Sequence, residues 1–181
     1  EKYITDTAWE KGWVKPVKVG RDSGHSVGII GAGPAGLAAA EQLRARGHAV
    51  TIYDRYDRAG GLLTYGIPNF KLEKETVERR TARLEKAGIT FKLNVDVGNT
   101  TPFAKIRKAH NAVLIATGVY KARDMAAPGI GLPGIVQALP YLTASNRVCL
   151  NEKVKEFDNG TFNAKGRNVV VIGGGDTAMD C

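Results

Sequence analysis

The sequence predicts an α/β fold built on a parallel sheet, followed by the start of a second unit of the same kind. Three observations carry that expectation. Two apolar runs, Val27-Gly28-Ile29-Ile30 and Val169-Val170-Val171-Ile172, each lead into a glycine-rich turn. Both turns open onto residues that pattern as a helix. The stretch from Ser26 to Tyr53 also reads strand, helix, strand, with the length that a parallel pair needs for its crossover.

Taken in order, residues 1–24 read as an entry arm: a short helical pattern pairs Tyr3-Ile4 with Ala8-Trp9, and Pro16 and Gly20 mark a linker. Val27 to Ile30 is a buried strand. The helix after it runs through Leu37, Ala40 and Leu43 and stops at Gly47. Ala49 to Tyr53 is the next strand. A glycine-rich loop, Gly60 to Pro68, leads to a charged helix from about Leu72 to Ala87. In that helix Val77 and Leu84 share a face and Glu75 pairs with Arg79 at i,i+4. Gly88 ends it. Ile89 to Val97 alternates weakly as a strand, and Thr101-Pro102 opens a short helix. Ala112 to Ala116 is uncharged and reads as a buried strand closing on Thr117-Gly118. A connector follows from Val119 to Gly166, with a helix around Ile135 to Ser145 broken or kinked at Pro140. Val169 to Ile172 is a final strand.

Composition narrows the classes of function. A chain of 181 residues can bury one α/β domain and begin another, and its 43% hydrophobic and 24% charged residues are those of a globular protein. No apolar stretch is long enough to span a bilayer, and no basic then apolar leader precedes the first amphipathic segment. The net charge of +8 is spread along helices and interleaved with Glu, without the aromatic-basic stripe of a nucleic-acid binder. Cys149 and Cys181 are too far apart in sequence to form a metal knuckle or a C-x-x-C pair, so a reduced, cytoplasmic thiol state is expected.

The chemistry lies in the turns. Gly31-Ala32-Gly33-Pro34-Ala35-Gly36 fits G-x-G-x-x-G. Here the first glycine makes the turn, the second lets backbone approach a pyrophosphate, and the third packs helix on strand. Spacing alone is weak, since 22 glycines in 181 residues give about a third of such a match by chance. Context strengthens it: the turn follows a buried strand and opens a helix whose amino end favours phosphate charge. Asp54, at the end of the second strand, is placed to accept hydrogen bonds from adenosine ribose hydroxyls. FAD and a nicotinamide nucleotide both present that adenosine diphosphate, so these residues leave the choice open. The second turn, Gly173-x-Gly175-x-x-Ala178, has alanine in the third position, a common variant in nicotinamide-binding units. NADH and NADPH are not separable from it.

Arg58-Ala59-Gly60-Gly61-Leu62-Leu63-Thr64 resembles the R-x-G-G-x-x-[ST] segment of two-dinucleotide flavoproteins, and Leu114 to Gly118 resembles their A-T-G segment. Further pieces are Glu1 to Ile4, Gly12 to Pro16, Thr64-Tyr65-Gly66-Ile67-Pro68-Asn69-Phe70-Lys71 and Gly173 to Cys181. With these the chain resembles, over essentially its whole length, the small-subunit family of bacterial glutamate synthases. The resemblance implies a Rossmann-like FAD-binding domain at 25–120, after an arm at 1–24. A connector and the start of an NAD(P)H-binding domain then fill 121–181. It implies an NADPH-dependent FAD oxidoreductase. Electrons pass through iron-sulfur clusters to a large (alpha) subunit that makes glutamate from glutamine and 2-oxoglutarate. By the same resemblance Gly31, Ala32, Gly33, Pro34, Ala35, Gly36, Asp54, Arg55, Gly60, Gly61, Leu62, Lys71, Val97, Thr117 and Gly118 lie along FAD. Gly174, Gly175, Asp176 and Thr177 lie along the nicotinamide nucleotide, and no side chain is singled out as an acid or base.

The family's cysteine-rich iron-sulfur segment is not among these residues. The chain is therefore expected to be a piece of something longer, with little activity alone. A related electron-transfer subunit, of the dihydropyrimidine dehydrogenase or ferredoxin-linked transhydrogenase type, and a non-catalytic FAD module are the competing expectations. A disulfide reductase is disfavoured, because no cysteine pair sits after Asp54 or near Gly173.

Overall fold

The structure is a computed structural model and describes residues 1–123 and 125–181. In chain order its elements are α1 (Lys2–Glu10), β1 (Ser26–Ile30), α2 (Pro34–Ala45), β2 (Ala49–Tyr53), α3 (Leu62–Tyr65) and α4 (Lys74–Lys86). There follow β3 (Thr90–Lys92), α5 (Phe103–Ala109), β4 (Ala112–Ile115), α6 (Ala138–Cys149), α7 (Lys155–Asp158) and α8 (Asp176–Asp180). The chain divides into two compact units: Glu1–Gly60 with Glu78–Thr117, and Gly61–Val77 with Gly118–Cys181.

The first unit carries a four-stranded sheet in the order β3-β2-β1-β4. Every pairing is parallel, with Ser26 opposite Ala49, Val27 opposite Ala112 and Thr51 opposite Thr90. The α/β parallel architecture expected from the sequence is therefore the one observed. Its core is made where the strands' β-branched residues meet α2 and α4. Ile29 and Ile52 are fully buried, Val50 nearly so, and Leu37, Ala40 and Leu84 close over them. Burial of side chains this size stabilises by about 1.5–3 kcal/mol each, which sets the sheet's register firmly.

The entry arm is tied down through Arg79. Read from sequence as the partner of Glu75, Arg79 pairs with Asp6 at 2.8 Å and lies 4.9 Å over the Trp9 ring. Both contacts need the planar guanidinium, which stacks and donates at once.

In the second unit α3 packs on α6. Tyr65 and Leu142 are buried, and the Arg147 guanidinium lies 5.0 Å over the Tyr65 ring. Tyr141, Phe157 and Phe162 form a mutual aromatic cluster with centroids 6.0–6.1 Å apart.

Four sequence expectations need correction. β4 forms but is not buried, with Leu114 39% and Ile115 63% exposed. It is one of the two edge strands of the sheet, where neighbours give least cover. Val169 to Ile172 is not a strand; all four residues are exposed, Val170 by 84%. An apolar run becomes a strand only when another strand takes up its backbone, and among the described residues none does. Between Ile89 and Val97 only Thr90–Lys92 is strand, because Asn94 adopts φ +57° and turns its N–H to the Tyr56 carbonyl at 3.0 Å. Finally, Pro140 does not kink α6: the helix begins at Ala138, so the proline falls in the first turn, where its missing N–H costs nothing.

The core makes a direct stability prediction. Ile52→Ala removes a fully buried side chain between the sheet and its helices. It should lower the unfolding free energy by about 2–5 kcal/mol in urea denaturation.

Candidate functional site

The first turn is assembled from main-chain contacts. Gly31 takes φ +113°, in which its N–H reaches the Tyr53 carbonyl at 2.8 Å and ties the end of β1 to the end of β2. An added Cβ at Gly31 would stand 2.3 Å from the Ala116 carbonyl oxygen, so the segment leading to Thr117 runs directly against the turn. At Gly36 a Cβ would lie 1.9 Å from the Gly31 oxygen. These two glycines are required by the protein's own packing.

Gly33 is different. Its φ of −76° and ψ of −178° are extended backbone open to any residue, and a Cβ there would meet nothing within 4 Å. Neither strain nor crowding within the protein asks for glycine at 33. What its missing side chain leaves is approachable backbone at the head of α2. Pro34 occupies the first helical position and has no N–H to lose, while Leu37 N–H makes the first intrahelical bond, to the Gly33 carbonyl, at 2.9 Å. The N–H groups of Ala35 and Gly36 precede that bond and are left for an outside acceptor, as helix starts require. An anion is the partner that suits them.

Asp54 braces this turn. Its carboxylate, in a residue only 9% exposed, accepts from Ala32 N–H at 2.6 Å through Oδ2 and from Tyr56 N–H at 2.9 Å through Oδ1. Ala32 accepts in return from Gly60 N–H at 2.8 Å. Ala32, fully buried, therefore joins the turn, the end of β2 and the first of the paired glycines. Asp54 N–H and carbonyl also bond to Lys92 O and Val95 N, at 3.1 and 2.8 Å. That fixes the loop holding Val97, which bridges to Thr101. Arg55 is exposed, with its guanidinium 5.0 Å over the Tyr56 ring. The first unit thus gathers Gly31 to Gly36, Asp54, Gly60 and the main chain at Thr117 around one turn.

The other sequence-derived residues belong to the second unit. Gly61 caps α3 at φ +55°, and Leu62 begins that helix with 41% of the residue exposed. Lys71 pairs with Asp180, whose acceptance of its hydrogen bond raises the Lys71 ammonium above the usual lysine value. Gly118 has φ +70°.

The second turn repeats the first in backbone. Gly173 has φ +139° where Gly31 has +113°, and Gly175 has φ −89° and ψ 178° where Gly33 has −76° and −178°. A Cβ on Gly174 or Gly175 would also meet nothing within 4 Å. Asp176 and Thr177 follow at the head of α8 and are exposed.

Sequence reasoning missed two features. One is the structural half of Asp54, whose oxygens are engaged by backbone. The other is Lys74, 5% exposed. Its signal was present, three residues before Val77 on the face that leads to Leu84.

Comparison with known proteins gives the following. The family model described as pyridine nucleotide-disulphide oxidoreductase matches residues 25–181. The glutamate synthase [NADPH] small chain of Azospirillum brasilense is 62% identical over all of this chain, which covers 38% of that protein. The glutamate synthase [NADPH] small chain of Bacillus subtilis is 45% identical, again over the whole chain and 36% of its own length. The chain thus spans well under half of the relatives it matches. Among solved structures, Mycobacterium tuberculosis FprA in complex with NADPH superposes with a TM-score of 0.62 at 24% identity, over 70% of this chain and 29% of that one. That likeness supports the fold.

The turn geometry predicts opposite behaviour for two of its glycines. In the FAD-free protein Gly33→Val should leave the thermal unfolding free energy within about 0.5 kcal/mol of wild type, as for an uncrowded surface site. Gly36→Val should cost more than about 2 kcal/mol, because its Cβ has no room. Calorimetry on the two variants checks both.

Proposed function

The chain belongs to the pyridine nucleotide-disulphide oxidoreductase family, and on that premise we propose that it is the FAD-holding part of an NADPH-linked electron-input subunit, of the glutamate synthase small-chain kind. The observation that carries the reading is Gly33. A glycine that neither φ nor crowding requires, between two that packing does require, is explained by a ligand whose phosphates need its backbone bare.

The residues present fit the group. The pyrophosphate would rest on the Gly31 to Gly36 turn, against the N–H groups of Ala35 and Gly36. Asp54 uses one lone pair of each oxygen for Ala32 and Tyr56, and a carboxylate has about four such sites. The remaining ones suit the adenosine ribose hydroxyls. A carboxylate there would repel a 2′-phosphate, so the first turn favours FAD over NADPH. Arg55, Gly60, Val97 and the Thr117 main chain complete that end, and Gly61, Leu62, Lys71 and Gly118 serve the flavin end. Gly174, Gly175, Asp176 and Thr177 are the nicotinamide-side counterpart, on a turn with the same backbone form.

When bound, the flavin supplies a two-electron acceptor for hydride from NADPH. The chain's own work is to bind and orient, which is what such a transfer asks of a protein. Iron-sulfur clusters held outside these residues would carry the electrons onward to a large (alpha) subunit that forms glutamate from glutamine and 2-oxoglutarate. Cysteine ligands for those clusters are assigned to residues other than Cys149 and Cys181, which are single, exposed and unbridged. Free thiols suit a reducing compartment, so the cytoplasm is the proposed location. Among the described residues no helix is long and apolar enough to cross a membrane.

Two outcomes test the reading in the full-length protein, by titrating apoprotein with FAD and following flavin fluorescence. Gly33→Val should abolish FAD retention while the protein stays folded; equal occupancy in both forms would overturn the placement. Asp54→Ala should weaken FAD by about 1.5–3 kcal/mol, roughly ten- to a hundredfold. Asp54→Asn should lose much of the same affinity, since its amide nitrogen would face a backbone N–H now met by a carboxylate oxygen.

A further inference from the structure

Within the second unit lies a buried cation that the proposed function does not use. Lys74 Nζ donates to two main-chain carbonyls, Leu63 O at 3.1 Å and Ile67 O. Its own N–H donates to Asn69 Oδ1 at 3.2 Å. Among the described residues no carboxylate pairs with its ammonium, and burial pushes the group below the usual lysine range. Such a placement is costly, because the buried ammonium loses its hydration and no carboxylate offsets that loss, the Cys149 side chain opposing it only in part. A methionine would fill the same space without that cost. What methionine lacks is the ability to hold two carbonyls four residues apart.

Those carbonyls flank a turn. Leu63 lies in α3 and Ile67 follows Gly66 just after it, so the ammonium binds the helix and its exit into one rigid piece. Thr64 and Tyr65 behind that piece are buried, while Leu62 at its front leaves 41% exposed. α3 starts directly on Gly61, which has φ +55° and whose carbonyl accepts from the N–H groups of Thr64 and Tyr65 at 3.1 and 2.9 Å. The clamp thus holds Gly61 in an uncommon backbone form and Leu62 outward on a fixed support.

We propose that Lys74 is a positioning residue for the bound flavin: by tying the carbonyls of Leu63 and Ile67 it holds Gly61 and Leu62 in the shape against which the ribityl and ring end of FAD rests. This rests on the FAD reading given above. Lys74 touches neither flavin nor nicotinamide in this role and acts through α3.

The test uses full-length protein loaded with FAD, as wild type, Lys74→Met and Lys74→Gln. Melting temperature, visible circular dichroism of the flavin and the anaerobic rate of flavin reduction by NADPH are measured on each. Lys74→Met should alter the flavin dichroism and slow reduction about tenfold or more. Lys74→Gln keeps N–H donors on a shorter, uncharged chain that reaches fewer of the carbonyls, so its dichroism should be intermediate and its rate two- to tenfold down. The glutamine variant decides the matter if the methionine variant does not fold. Variants that melt lower but keep the wild-type flavin spectrum and rate would give Lys74 a purely structural role and overturn the proposal. A wild type that takes up no FAD would overturn both readings together, whereas FAD-bound wild type beside unchanged variants overturns the Lys74 role alone.

Discussion

The hydrogen bond from Ala32 N–H to the buried Asp54 carboxylate is the contact on which the first turn depends. It joins the loop after β1 to the residue that follows β2, at the edge where two parallel strands deliver their chains. Hydrogen bonds to a charged acceptor are stronger than neutral ones, and this one lies where water competes little. Around it the Gly31 N–H to Tyr53 and the Gly60 N–H to Ala32 close the same corner. Three segments are thereby held together as one backbone surface.

Within that surface the glycines divide the work by physical cause. Gly31 and Gly36 are glycine because the protein's own atoms leave no room. Gly33 is glycine although the protein leaves ample room. Sequence spacing treats the three alike, and the structure separates them. That the second turn repeats the positive φ at Gly173 and the open, extended Gly175 shows that its form arises locally, even with the apolar run before it outside any sheet.

The sites where burial was misjudged share a reason. Ala112 to Ala116 and Val169 to Ile172 are as apolar as Val27 to Ile30, and only the last is buried. β1 is flanked by β2 and β4 and covered by α2. β4 is an edge strand, and Val169 to Ile172 has no ladder partner among the described residues. Hydrophobicity records what a segment would gain from cover, and tertiary neighbours decide whether cover arrives.

The sequence by itself determined the parallel α/β class, the positions of β1, α2, β2 and α4, and the glycine turn with Asp54 after it. It could do so because period, turn chemistry and helix stops act within a few residues of each other. It also carried the likeness to glutamate synthase small chains, which the 62% and 45% identical relatives bear out. Tertiary structure alone decided the strand order β3-β2-β1-β4, the exposure of β4, the turning of Arg79 to Asp6 and the double use of Asp54. It also selected Lys74 from 26 lysines and arginines as the one whose ammonium closes the turn after α3. Each of these joins groups far apart in the chain or depends on what packs beside a segment. Local pattern holds no record of such distances, and folding supplies them.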